Sequence, residues 1–199
     1  MTFFPSIKDD GGLADVFRRF PRGVDPLLVF HDELLRGNSD LSIAERELIA
    51  AYVSALNDCG FCFQAHRTYS ALYGIDVELF DELVEDVDSS SLEPRLKPLF
   101  HYIQKLTKTP SRILQEDVDR VLAAGISEEG LHDAILVVGL FNLMNRIIFG
   151  HGVDDHRASY GERLAQVLEA PRDERHEQNE EDLGATPYQE FGRALQQDE

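Results

Sequence analysis

The sequence predicts an all-α protein, because apolar residues recur at helical spacing and no segment shows the apolar–polar alternation of a strand. Residues that favour helix caps stand at the starts of several of these segments, which supports the same prediction. With 199 residues and a hydrophobic content of 43%, the chain can bury a core of its own. Residues 1–169 are therefore expected to form one helical domain.

The first two helices are predicted from the residues at their ends. Pro26 opens a helix that ends before Gly37, since proline is favoured in a first turn and glycine just beyond a last one. Ser42 and Glu45 have the spacing of a capping box, so the next helix begins there and runs through Leu56.

The third helix is expected to follow a break in the chain. Asp58 is predicted to be its N-cap, and the helix extends from Cys59 to Gly74. Periodicity alone predicts the remaining helices, over 76–86, 95–107, 114–124, 127–149 and 154–168.

The last part of the sequence has a different composition. Residues 170–199 are polar and acidic, and they are predicted to form a C-terminal tail outside the helical domain. The formal net charge of the chain is −18. This charge argues against binding to nucleic acids or to anionic membranes, because their phosphates would repel the protein.

The expected location is the cytoplasm. No apolar run approaches the roughly 20 residues needed to span a bilayer, and the first ten residues lack the charged-then-apolar layout of a signal peptide. In a reducing compartment, two cysteines spaced as CxxC indicate a catalytic or metal-binding pair more often than a structural disulfide.

The two cysteines are the most informative residues in the chain. Cys59 and Cys62 are separated by two residues, and His66 follows one helical turn later. These three positions share one face of a helix, and Glu47 lies on the helix before it. Two thiols that can close into a disulfide, beside a base and an acid, are typical of thiol redox chemistry.

The expected role of each neighbour follows from what activates a thiol. The first turn of a helix offers unpaired N–H groups and the positive end of the helix dipole, which lower a thiol pKa. His66 can accept or relay a proton, and Glu47 can orient His66. The aromatic neighbours Phe61 and Phe63 are expected to shield the sulfurs from water.

Other interpretations of the motif fit less well. Zinc would need four ligands, and these residues supply an unusual set that includes a carboxylate. Covalent haem attachment needs a histidine directly after the second cysteine, where this chain has Phe63. A thioredoxin-like site needs a βαβ context, whereas the flanks here are helical. Two buried, inert cysteines remain possible, since free cysteine is often buried.

The segments around the motif resemble the alkylhydroperoxidase-D-like (carboxymuconolactone decarboxylase) superfamily, in particular its peroxidase-related branch. The resemblance covers about residues 26–85 directly and rests on Leu41–Glu47, Ser54–Cys62 and Ala65–His66. A later helix with Phe141–Arg146 resembles the second half of that branch. The decarboxylase branch lacks the CxxC pair, so its chemistry is the less fitting one.

The resemblance implies an all-helical bundle of about seven to nine helices and reduction of hydroperoxides. By the resemblance, Cys62 is oxidised to a sulfenic acid, Cys59 condenses with it to a disulfide, and Glu47 and His66 form the proton relay. Well-studied members carry a further histidine just before the second cysteine, where this chain has Phe61.

We therefore expect an enzyme, a peroxiredoxin-type alkyl hydroperoxide reductase with no cofactor and no metal. Its partners would be a hydroperoxide substrate and a thiol or lipoyl-type reductant. The alternative is a non-catalytic thiol redox sensor or protein-binding module of the same fold. The apolar segment from Ile135 to Phe149 carries more apolar surface than one small bundle needs, so a homo-oligomer is also expected.

Overall fold

The computed structural model describes residues 2–153, 157–171, 175 and 186–197. Within these residues all regular structure is helical, which confirms the predicted all-α class. The ten α-helices of the described part are α1 (Leu13–Arg19), α2 (Val24–Arg36), α3 (Ile43–Leu56), α4 (Gly60–Leu72), α5 (Glu78–Glu85), α6 (Lys97–Lys108), α7 (Gln115–Ala123), α8 (Glu128–His151), α9 (Arg157–Glu169) and α10 (Pro187–Gln197), with a short 3-10 helix at Pro110–Arg112 between α6 and α7.

The eight predicted helices correspond to α2 through α9, with ends that agree within about three residues. The capping box predicted at the start of α3 is present: the Ser42 hydroxyl accepts from the Glu45 amide, and the Glu45 carboxylate accepts from the Ser42 amide. Helix α1 was not predicted; it is short, and its N-cap is a glycine, Gly12, which has no side chain to cap the helix.

Helix α3 is the centre of the bundle. It packs against α2, α4, α5, α6 and α8, and every residue from Glu45 to Ser54 is buried. A helix surrounded on all sides needs apolar residues around its whole circumference, and α3 carries them except at its charged positions. Glu47 is thus placed in the middle of the protein by the same helix that forms its core.

Helix α8 is the longest helix described, and ten of its residues are buried against the other helices. By length and composition it could cross a membrane, contrary to our expectation that no apolar run comes near that length. Core helices of soluble proteins pass the same test, and α8 contacts α2, α3, α4 and α6. Its apolar character is therefore accounted for by its place in the bundle.

Part of the segment predicted as a polar tail is folded against the domain. Helix α10 packs on α2 and α1, with Phe191 against Phe17 and Leu195 buried. The acidic stretch 176–185, which we assigned to the same tail, lies outside the described residues.

Candidate functional site

The cysteine pair lies at the start of α4, as the sequence predicted. Cys59 is the N-cap of the helix and Cys62 is its third residue. The prediction that Asp58 is the N-cap was wrong, because Asp58 has a φ of 56°. That left-handed conformation, which aspartate tolerates better than most residues, turns the chain so that the Cys59 amide donates to the Ser54 carbonyl at 2.8 Å.

Both cysteines are free thiols and both are buried. The side chain of Cys62 interacts with that of Cys59 and with that of Asn145, on α8. The contact with Cys59 and the burial of the sulfur raise the pKa of the Cys62 thiol, whereas the Asn145 amide acts in the opposite direction. In this reduced form Cys62 therefore retains its proton, contrary to our expectation that the first turn of the helix lowers the pKa of the thiol.

Glu47 is completely buried, and each of its oxygens has a basic partner. Oε2 lies 2.5 Å from Nδ1 of His66, and Oε1 lies 2.5 Å from Nη1 of Arg36. Arg36 is the last residue of α2, so the carboxylate joins three helices. Sequence reasoning placed Glu47 beside His66 but gave no reason to add Arg36.

The charges of this cluster balance one another. Burial alone would raise the pKa of Glu47, but Arg36 and His66 outweigh it and hold the pKa below its ordinary value. Burial would likewise lower the pKa of Arg36, and the neighbouring carboxylate raises it instead. Glu47 is thus a carboxylate that remains ionised inside the protein, where it can fix the orientation of His66.

A cavity of about 500 Å³ lies against this group of residues. Cys62 and His66, one turn apart on α4, both contribute to its wall, and Arg36 does so from α2. Most of the remaining lining is apolar or aromatic and includes Leu13, Phe17, Leu28, Phe61, Phe141 and Met144. Phe61 lines the cavity, whereas Phe63, which was expected to shield the sulfurs as well, packs edge-on against Phe80.

The C-terminal helix forms one wall of the cavity. Pro187, Tyr188 and Phe191 of α10 face it, and the ring of Tyr188 lies 4.9 Å from that of His31 and 5.8 Å from the guanidinium carbon of Arg36. The Tyr188 hydroxyl is buried without a hydrogen-bond partner among the described residues. No feature of the sequence connected this residue to the cysteines, which lie far away along the chain.

His31, on α2, also lines the cavity. It is buried, as expected for a core histidine, and its Nδ1 lies 2.8 Å from the Leu27 carbonyl. Burial lowers its pKa to about 4, so the ring is neutral at pH 7. His31 and His66 both pack against Phe141, with ring centroids 6.2 and 4.3 Å from it.

The described residues contain no group of three or more histidine, cysteine, aspartate or glutamate side chains with the geometry of a metal site. Glu47, which would have to complete a zinc set with the cysteines, is already engaged by Arg36 and His66. The arrangement instead suits proton transfer at a thiol: an ionised carboxylate, an oriented imidazole and a cysteine that faces a largely apolar cavity.

No family model matches the sequence, and no curated protein matches it either. Solved structures do resemble it. An uncharacterized peroxidase-related protein from Silicibacter sp. TM1040 has 24% identity and a TM-score of 0.68, over 75% of this chain and 78% of that one.

A second solved structure, an alkylhydroperoxidase AhpD core described as an uncharacterized peroxidase-related protein from Ralstonia eutropha JMP134, has 21% identity and a TM-score of 0.67. The similarity covers 73% of this chain and 76% of that one. At this level of identity the likeness concerns the fold, and it agrees with the resemblance seen in the sequence. The chain has the alkylhydroperoxidase-D-like fold.

Proposed function

We propose that the protein is a CxxC-dependent peroxidase that reduces organic hydroperoxides. The observation that carries the proposal is the position of Cys62. It contacts a second thiol, Cys59, and lines a largely apolar cavity together with His66. The other side of the His66 ring is held by the buried Glu47. The peroxidase-related description of the two structural neighbours supports the same reaction class.

In the first step, the thiolate of Cys62 attacks the terminal oxygen of the hydroperoxide. A sulfur–oxygen bond forms, the oxygen–oxygen bond breaks, and the alkoxide that leaves takes up one proton to become an alcohol. His66 is the group placed to deliver that proton, because it lies one turn from Cys62 and lines the same cavity. Cys62 is then a sulfenic acid, oxidised by two electrons.

In the second step, Cys59 attacks the sulfur of the sulfenic acid. The Cys59–Cys62 disulfide forms and the hydroxyl group leaves as water, with the proton supplied by the Cys59 thiol. The net reaction consumes two thiols and one hydroperoxide and yields one disulfide, one alcohol and one water. An external thiol or a lipoyl-type dithiol then reduces the disulfide and completes the cycle.

Glu47 and Arg36 act through His66. The short contact between Glu47 and His66 Nδ1 fixes the orientation of the ring. The other ring nitrogen, Nε2, is then the one that can exchange a proton with a molecule in the cavity. Arg36 keeps Glu47 ionised, so the carboxylate can stabilise a positive charge on the ring while it exchanges protons. The apolar lining suits the alkyl or aryl part of an organic hydroperoxide.

The proposal is tested by mixing the reduced protein with one equivalent of cumene hydroperoxide in a stopped-flow instrument. We expect the loss of two thiols per hydroperoxide, at a rate far above that of free cysteine, with one alcohol formed. A sensor that only reports oxidation would lose its thiols no faster than free cysteine, and that result would contradict the enzymatic proposal. Turnover with dithiothreitol or dihydrolipoamide then identifies the type of reductant.

A further inference from the structure

Asn145 is a buried polar residue beside the cysteines that lies outside the predicted motif. It lies on α8, is only 1% exposed, and interacts with the Cys62 side chain. Neither the cysteine motif nor the Glu47–His66 pair includes it. Its amide must find partners for two donor hydrogens and one oxygen inside the protein, so each contact that it makes is informative.

The orientation of this amide follows from its neighbours. The Ser54 hydroxyl donates its hydrogen to the Ala50 carbonyl at 2.8 Å, so its oxygen can only accept from Asn145. The Asn145 Nδ2 atom lies 3.1 Å from that oxygen, and its Oδ1 accepts from Asn57 Nδ2 at 2.9 Å. If the Asn145 amide were flipped, its oxygen would face the Ser54 oxygen and its nitrogen would face the Asn57 nitrogen.

One Nδ2 hydrogen is therefore used by Ser54, and the other is available to the Cys62 sulfur. A sulfur that carries a negative charge accepts such a hydrogen bond more strongly than a neutral thiol does. Ser54 on α3 and Asn57 at the end of α3 hold the donor in place before any substrate arrives. The Asn145 amide is thus already oriented in the folded protein, and no free energy is needed to orient it during the reaction.

We propose that Asn145 donates a hydrogen bond from its Nδ2 atom to the Cys62 sulfur and so stabilises the thiolate of Cys62. The inference rests on the proposed function in one respect, namely that Cys62 is the attacking sulfur. By this inference α8 takes part in activating the thiol, whereas the residues of the sequence motif lie only on α3 and α4. In this chain, the donor beside the thiolate is an amide from another helix.

The test measures thiol ionisation without any peroxide. The rate of Cys62 alkylation by iodoacetamide is followed from pH 6 to 10, and mass spectrometry identifies the cysteine that reacts. In Asn145→Leu, which has a similar volume and no donor, we expect the apparent pKa of Cys62 to rise by about one to two units. Alkylation at pH 7 should fall about ten- to a hundredfold.

Two further variants keep the test decisive. Asn145→Asp retains the shape of the side chain, loses the donor and adds a negative charge, so it should raise the pKa of Cys62 at least as much as Asn145→Leu does. It serves as the test if the leucine variant fails to fold. Asn142→Leu is the matched control: Asn142 also accepts from Asn57 and donates to the Val138 carbonyl. It should leave the apparent pKa unchanged within about 0.3 unit.

An unchanged pKa in both Asn145 variants would overturn the inference, as would an equal shift in the Asn142 control. A protein that consumes no hydroperoxide, but whose Cys62 pKa still rises on substitution of Asn145, would retain this inference and lose the proposed function. If the protein turns over hydroperoxide but the pKa of Cys62 is unchanged in the Asn145 variants, the proposed function stands and this inference is wrong.

Discussion

Asp32 and Tyr188 join helix α2 to helix α10. The carboxylate of Asp32, buried on α2, accepts from the Tyr188 amide at 3.0 Å through one oxygen and from the Gln189 amide at 2.9 Å through the other. Asp32 thus satisfies two free N–H groups in the first turn of α10, as an N-cap residue would, from a position 156 residues earlier in the chain.

This contact predicts that Asp32 controls access to the cavity. In Asp32→Ala, the loss of the cap should weaken the docking of α10 by about 1 kcal/mol. Because α10 forms a wall of the cavity, alkylation of Cys62 should become about fivefold faster, and amides in 187–197 should exchange faster with deuterium. Glu33→Ala removes the same charge from an exposed neighbour on α2 and should change neither rate. Equal rates in the two variants would show that Asp32 does not hold the helix.

The buried ion pair predicts a strong dependence of stability on Arg36. In Arg36→Met, Glu47 loses the partner that keeps it ionised, so the free energy of unfolding in urea at pH 7 should fall by about 3 kcal/mol. In the double variant Arg36→Met/Glu47→Gln no charge is left unpaired, and much of the loss should be recovered. Strictly additive losses in this double-mutant cycle would contradict the coupling.

His31 predicts a specific loss of stability in acid. Its pKa is about 4 in the folded protein and about 6.5 in an unfolded chain. Its contribution is therefore complete above pH 6.5 and is lost as the pH falls towards 4, to a total of about 3 kcal/mol. In His31→Phe, the free energy of unfolding should decrease less than in the unsubstituted protein as the pH is lowered from 6.5 to 4. His132→Gln, at an exposed position on α8, should keep the slope of the unsubstituted protein.

The two cysteines are predicted to have different roles. Cys62→Ser should abolish hydroperoxide consumption, because no other thiol lines the cavity beside His66. Cys59→Ser should consume one equivalent and stop, leaving a sulfenic acid on Cys62 that dimedone traps. If the dimedone adduct forms on Cys59 of the Cys62→Ser variant, and none forms on Cys62 of the Cys59→Ser variant, the two roles are reversed.

We also predict a homo-oligomer held together by helix faces. Leu143 and Phe149 of α8 are 48% and 50% exposed, and large apolar side chains in that position are suited to a subunit contact. Light scattering should give a multiple of 22.5 kDa, and Leu143→Ser/Phe149→Ser should lower the mass. Val84→Ser, at an exposed apolar residue on α5, should not. A mass of one chain for the unsubstituted protein would rule out the prediction.

Most of the fold could be predicted because its signals are local. The capping box of Ser42 and Glu45 and the periodicity of α8 depend on neighbours within a few positions, and such patterns determine where a helix begins and which side is buried. Helix α1 escaped prediction because only Val16 and Phe17 in it are buried. Its position depends on packing against α10, which sequence spacing does not reveal.

The candidate site divides in the same way. Cys59, Cys62 and His66 share one helix face, and Glu47 is one helix away, so spacing was enough to group them. Arg36, Tyr188 and Asn145 reach the same place from helices whose mutual arrangement only tertiary packing fixes.

The wall that α10 contributes to the cavity has a consequence for how the protein is made. A chain is synthesised and folded from its N-terminus, and contacts between distant residues form slowly because a long loop must close first. Cys62 therefore emerges from the ribosome long before Phe191, and the bundle can assemble while one side of its cavity is still open. Until α10 docks on Asp32, that side of the cavity has no wall, so Cys62 is less shielded from solvent in the newly made chain than in the folded protein.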